Sequence, residues 1–248
     1  MIPAPPARAG ALGPRGPGRP AGPRVRLVPG VLEVAETAAA CTDWAGLVAA
    51  AQGCTACPEL AASRSTVVVG VAPPRARLTL VGEAPGAQED QEGRPFVGRA
   101  GRLLDEVLAG VGIARSEVAV MNVLQCRPPE NRTPKPDEVA RCRGWLDRKL
   151  TLVEPELICA LGLTAAAWFL GRGIRLSAVR GVVHEVAGRR VVVSYHPSAA
   201  IRFGPAGAPL AALRADLAFV ASLLRTPVGD SAAGDGDDRD GDDRDGGR

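Results

Sequence analysis

Residues 77–86 read Arg-Leu-Thr-Leu-Val-Gly-Glu-Ala-Pro-Gly. The apolar run is too short for a helix and stops at a Gly/Pro turn, so it reads as a buried strand that feeds a loop. Three more segments follow that pattern, at 117–123, 156–161 and 190–194. Helical spacing lies around and between them. Trp44, Leu47, Val48 and Ala51 share one face within 41–52, and Leu103, Leu104, Val107 and Leu108 one face within 98–108. Pro136 opens a helix to Leu150 with Asp137 and Glu138 in its first turn, an Ala-rich helix follows Gly162, and 210–224 closes the domain. Strands alternating with helices predict an α/β sheet that is mostly parallel and covered on both faces. Ligands of such sheets bind beyond the carboxyl ends of the strands. There the loops carry Glu83 to Gly86, Asn122 and His196.

The ends of the chain are of another kind. Eight of its 22 prolines and six glycines fall in residues 1–30, too many for a packed element. Residues 230–248 hold eight Asp, three Arg and no large apolar side chain, and GDDRD occurs twice in them. The expected organisation is a disordered extension over 1–30, one domain over 31–226, and a disordered acidic tail over 227–248. Without 230–248 the chain carries 27 Lys and Arg against 19 Asp and Glu, a net of +8 in place of the formal +3. A basic body with an acidic tail suggests a polyanion partner. No apolar run approaches the roughly 20 residues of a spanning helix, and the start has no stretch of signal-peptide type. The expected location is the cytosol, with no membrane partner.

Six cysteines include a CxxC pair, Cys54 and Cys57; Cys126 and Cys142 follow around a Pro-rich loop. With no export signal these read as metal ligands rather than a disulfide scaffold. Four thiolates suit tetrahedral zinc or an iron–sulfur cubane, and the spacing leaves both open. Cys159, in the middle of a strand, reads as a small core hydrophobe, and Cys41 stands outside the spacing.

Four segments in order, CTAC (54–57), VGEAPGAQEDQEGRPFVGRAGRLLDEVL (81–108), NVLQCRPPENRTPKP (122–136) and YHPSAAIR (195–202), together resemble the family 4 uracil-DNA glycosylases. The resemblance covers about three quarters of the chain. It implies a three-layer α/β/α sandwich on a four-stranded, mostly parallel sheet. It also implies a monomer that hydrolyses the N-glycosidic bond of uracil in DNA, and a [4Fe–4S] cluster on Cys54, Cys57, Cys126 and Cys142.

Site roles follow from the same resemblance. A glycosylase takes its base out of the stack, so it needs a stacking platform and edge readers. Phe96 becomes the face on which uracil stacks. Asn122 offers an acceptor and a donor to the N3–H and O4 edge, a pattern that cytosine reverses. His196 stabilises the charge that grows on O2, and Glu89 crowds C5 against thymine's methyl. Ala84 stands where other uracil glycosylases place a water-activating Asp, which points to a dissociative reaction with Glu83 as the nearest group to orient water. Ser198 to Arg202 forms an arm for the minor groove, with Ala200 or Ile201 as wedge and Arg202, Arg127 and Arg132 as phosphate contacts. Two other readings differ in what they need. A related branch that stays covalently bound to its product uses a His in the loop after the CRPP motif, and 130–136 contains none. A binding module without turnover would not need Phe96, Asn122 and His196 together.

Overall fold

The computed structural model describes residues 28–225. In chain order these form α1 (Val31–Ala40), α2 (Trp44–Gln52), α3 (Pro58–Ser63), β1 (Leu78–Gly82), α4 (Ala87–Glu92), α5 (Arg99–Gly110), β2 (Val118–Asn122), α6 (Pro136–Val153), β3 (Leu157–Leu161), α7 (Leu163–Leu170), α8 (Leu176–Val179), β4 (Val183–Val186), β5 (Arg189–Ser194), α9 (Pro197–Phe203) and α10 (Ala208–Arg225). The expected disorder of the extension and the tail lies, but for residues 28–30, outside the described residues.

The sheet order is β2-β1-β3-β5-β4. The first four strands are parallel and β4 runs antiparallel at the edge. The sheet thus has five strands where four are expected. Val183 to Val186 looks strand-like in sequence but carries His184 and Glu185 and is only partly buried. Its turn to β5 is Ala187-Gly188, both at positive φ, without the Asn or Asp that announces such hairpins.

The period of two along each strand divides the core. Val81, Ala119, Met121, Ile158, Ala160, Val191 and Val193 face one side, against α1, α2, α6 and α7. Leu78, Leu80, Val118, Val120, Leu157, Cys159, Leu161 and Val192 face the other, against α5 and α10. Strands apolar on both faces are what a doubly covered parallel sheet requires. Cys159 is fully buried there, as a core hydrophobe should be. Among the described residues no helix is long and apolar enough to cross a membrane.

Two local devices fix the ends that matter. Glu138 accepts the Lys135 N–H at 2.7 Å and caps α6, which carries Cys142 one turn later. At the carboxyl end of β5, Ser194 donates to buried Asp216 of α10 at 2.6 Å, and Arg180 pairs with the same carboxylate. His196 therefore leaves the sheet from an anchored point.

Candidate active site

The loops beyond β1, β2, β3 and β5 enclose a cavity of about 450 Å³. Glu83, Ala84, Glu89, Phe96, Asn122, His196 and Arg202 all line it. Gly82 and Asn122 are register partners at the ends of β1 and β2. A Cβ on Gly82 would overlap Asn122 Oδ1 and come within 2.6 Å of Phe96 Cζ, so only glycine lets both side chains reach the cavity. Asn122 is 2 % exposed, and its Oδ1 has no hydrogen-bond partner among the described residues. A buried acceptor without a donor is costly, and here the cavity is where a donor can arrive.

Phe96 has φ +55°, a left-handed conformation that its surroundings must impose. Glu89 imposes it. Its Oε1 accepts the N–H groups of Val97 at 2.9 Å and Gly98 at 2.8 Å, and its Oε2 accepts Gly86 N–H at 3.1 Å. One carboxylate thus ties the loop after β1 to the loop that presents the ring. This brace is invisible in the sequence, which suggests only a carboxylate facing the ligand.

His196 Nδ1 accepts the Ser198 N–H at 3.2 Å and lies 2.8 Å from Ser198 Oγ. A backbone N–H can only donate, so Nδ1 carries no proton and the neutral ring holds its proton on Nε2. Burial pushes the pKa of His196 down to about 4, against the opposing pull of the Glu89 carboxylate. The residue is a neutral donor at pH 7. His184, by contrast, bonds the Val179 carbonyl at 2.7 Å and is no part of the cavity.

Glu83 follows β1 directly. Its Oε2 accepts a hydrogen bond from the hydroxyl of Thr164 on α7, and Oε1 has no hydrogen-bond partner among the described residues. The arm is less uniform than its sequence suggests. Ala200 is 2 % exposed and packed in the core, so it presents no side chain to a duplex. Ile201 is partly exposed but does not line the cavity, whereas exposed Leu163 does. Arg132 lines the cavity, yet its guanidinium is taken up by Glu138, at 2.7 and 3.0 Å, and Glu59, at 3.2 Å. Arg127 bonds Asn131 at 2.8 Å. Arg202 is exposed.

Cys54, Cys57, Cys126 and Cys142 line one smaller cavity between α3, the loop after β2 and α6. None of them is in a disulfide. Arg64 donates to Cys126 Sγ at 3.0 Å and Trp145 to Cys54 Sγ at 3.4 Å. Burial pushes the Cys57 thiol up to about 11, opposed by Arg141, and the Cys142 thiol up to about 12, opposed by Lys149. Lys149 is wholly buried and its Nζ has no acceptor among the described residues. Donors and an orphaned ammonium around four thiols fit an anionic group held by sulfur. Among the described residues no three or more His, Cys, Asp or Glu stand close enough as a group to hold a metal ion, so the fit of the four cysteines rests on their shared cavity and the donors around it.

Residues 69–218 match the model of the Uracil DNA glycosylase superfamily. The chain is 46% identical over 151 residues to the type-4 uracil-DNA glycosylase of Thermotoga maritima, covering 60% of this chain and 78% of that one. Identity to the type-4 enzyme of Archaeoglobus fulgidus is 42% over 156 residues, covering 60% and 78%. With the type-5 uracil-DNA glycosylase of Thermus thermophilus it falls to 32% over 181 residues, covering 58% and 82%.

Proposed function

The chain belongs to the type-4 uracil-DNA glycosylases, and from that premise we propose how its cavity excises uracil from DNA. The observation that carries the assignment of the site is the buried, unpartnered Oδ1 of Asn122. Uracil N3–H supplies the missing donor, and the amide nitrogen donates to O4. Cytosine presents an acceptor at N3 and a donor at N4, so a fixed amide leaves both pairs mismatched.

Uracil flipped from the duplex stacks on Phe96, with Glu89 beside its C5 edge. The bond from N1 to C1′ breaks with its electron pair passing to the base. Negative charge gathers on O2, where the Nε2 proton of His196 meets it. A neutral, pre-oriented donor in a partly buried site stabilises that charge without reorganisation. The sugar is left cationic at C1′. Glu83 is the carboxylate with an oxygen to spare, since the amides hold both oxygens of Glu89. It orients a water whose oxygen bonds to C1′, and the released proton passes to the carboxylate or to solvent. An abasic site and free uracil result.

The four thiols are the place of a [4Fe–4S] cluster, held by Cys54, Cys57, Cys126 and Cys142. When bound it would supply cross-links between α3, the loop after β2 and α6; hydrolysis of a glycosidic bond moves no electrons. The test of the whole reading is a duplex oligonucleotide with one uracil. Free uracil and an alkali-labile strand are expected. An SDS-stable complex would place the chain in the covalent branch, and retention on DNA without release would make it a binding module.

A further inference from the structure

Glu83 is fixed at its backbone, because its carbonyl accepts Leu124 N–H at 3.0 Å. Its side chain has three further torsions, and a carboxylate that must present one particular oxygen needs its head fixed too. Among the described residues, the one hydrogen bond to that head comes from Thr164, 81 residues further along the chain. Thr164 is the second residue of α7, directly behind Gly162 and Leu163 of the cavity wall. Helix formation gives no reason for a threonine there. Its branched side chain is an indifferent helix former, and it caps nothing, since the N-cap of α7 is Gly162 with no side-chain bond. The hydroxyl is spent on Glu83.

We propose that Thr164 is a positioning residue of the hydrolysis. By holding Oε2 of Glu83 it turns Oε1 toward the water that captures C1′, and so acts through Glu83 without touching the substrate. This rests on the role given to Glu83 above, and the test separates the two.

Thr164→Val keeps the branched shape and removes the donor; Thr164→Ser keeps the donor. Single-turnover excision is measured for both, and for Thr164→Val in a Glu83→Ala background, with thermal melting as the check on folding. A lost hydrogen bond to a charged group predicts a rate lower by roughly ten- to a hundredfold for Thr164→Val, restored by Thr164→Ser. Inhibition by free uracil should not change, because Thr164 does not touch the base. In the Glu83→Ala background the same change should have no further effect. An equal loss in both backgrounds would make Thr164 merely structural and overturn the proposal. So would a parental rate for Thr164→Val while Glu83→Ala is slow, which leaves the role of Glu83 standing. A parental rate for Glu83→Ala would remove both.

Discussion

The ring of Phe96 lies 5.4 Å from that of His196, centroid to centroid, with the planes inclined by 34°. The proposed stacking face and the proposed charge-stabilising donor therefore lie side by side, although 100 residues separate them. Two glycines make room for it. Gly82 lies under the Phe96 ring, and a Cβ on Gly101 would overlap the Phe96 carbonyl.

Gly82→Ala should therefore disable the site while sparing the fold. β1 tolerates an alanine in its backbone, but the added methyl meets both Phe96 and Asn122. We expect single-turnover excision to fall by about a hundredfold or more, in line with the loss of one well-placed transition-state group. Circular dichroism should be unchanged. Parental activity would show that the two side chains can withdraw and still work.

His196→Ala should lower the single-turnover rate by on the order of 10² to 10³. The parental enzyme should also show no activity limb near pH 6.5, because burial holds the ring's pKa near 4. The sign for stability follows. The unfolded state takes up a proton below its ordinary pKa of about 6.5, and the folded state does so only near 4. The contribution of His196 to stability is thus present above about pH 6.5 and is lost as pH falls toward 4. His196→Ala should flatten that part of the melting-temperature profile. A limb at pH 6.5 that disappears in the variant would mean a protonated, not a neutral, donor.

Asn122→Ala should lose most uracil excision yet keep near-normal affinity for undamaged duplex, since phosphate contacts supply that affinity. It should also narrow the gap between uracil and cytosine. Glu89→Ala supplies the contrast. If Glu89 only crowded C5, thymine would be released and uracil excision retained. With its carboxylate bound to three backbone amides, its loss should release the Phe96 loop and lower uracil excision instead. Competition rates on oligonucleotides carrying each base decide both points.

Protein prepared without oxygen should be brown and carry about four irons per chain, one cubane on four thiolates. Cys126→Ala should reduce folded yield more than it alters the reaction of the molecules that do fold. Zinc as the sole stoichiometric metal would defeat this.

Much of this was legible in the sequence, for a physical reason. The four parallel strands are buried on both faces, so each announces itself as an apolar run. The cavity lies where such strands end, which places Glu83, Asn122 and His196 before any contact is known. What stayed hidden depends on contacts between distant residues. The hydroxyl of Thr164 reaches a carboxylate 81 positions away, Glu89 holds amides eight and nine positions on, and β4 is an edge strand with one half-buried face. Nothing in local composition marks the two carboxylate contacts, and the strand-like look of 183–186 does not say that it joins this sheet. The arm shows the same limit, because helical placement of α9 decides that Ala200 points inward and Arg202 outward.

That placement separates the arginines of the DNA-facing loops. Arg132 and Arg202 both line the cavity, and by sequence alone both read as phosphate contacts. Arg132 forms a fork with Glu138, whose side chain is only 4% exposed, and reaches Glu59 as well. Its positive charge is matched within the protein, and the Glu138 carboxyl is held below the usual range by those bonds despite its burial. Each phosphate contact adds about one unit to the slope of log affinity against log salt concentration. Arg202→Ala should therefore reduce the slope by about one and weaken all sequences alike. Arg132→Ala should leave the slope unchanged and lower the melting temperature, because Glu138 loses its partner at the start of the helix that carries Cys142. That loss should grow as pH rises through the range where Glu138 ionises, since only the charged carboxylate needs the arginine. If Arg132→Ala reduced the slope as Arg202→Ala does, the guanidinium would have to leave Glu138 for phosphate on binding DNA.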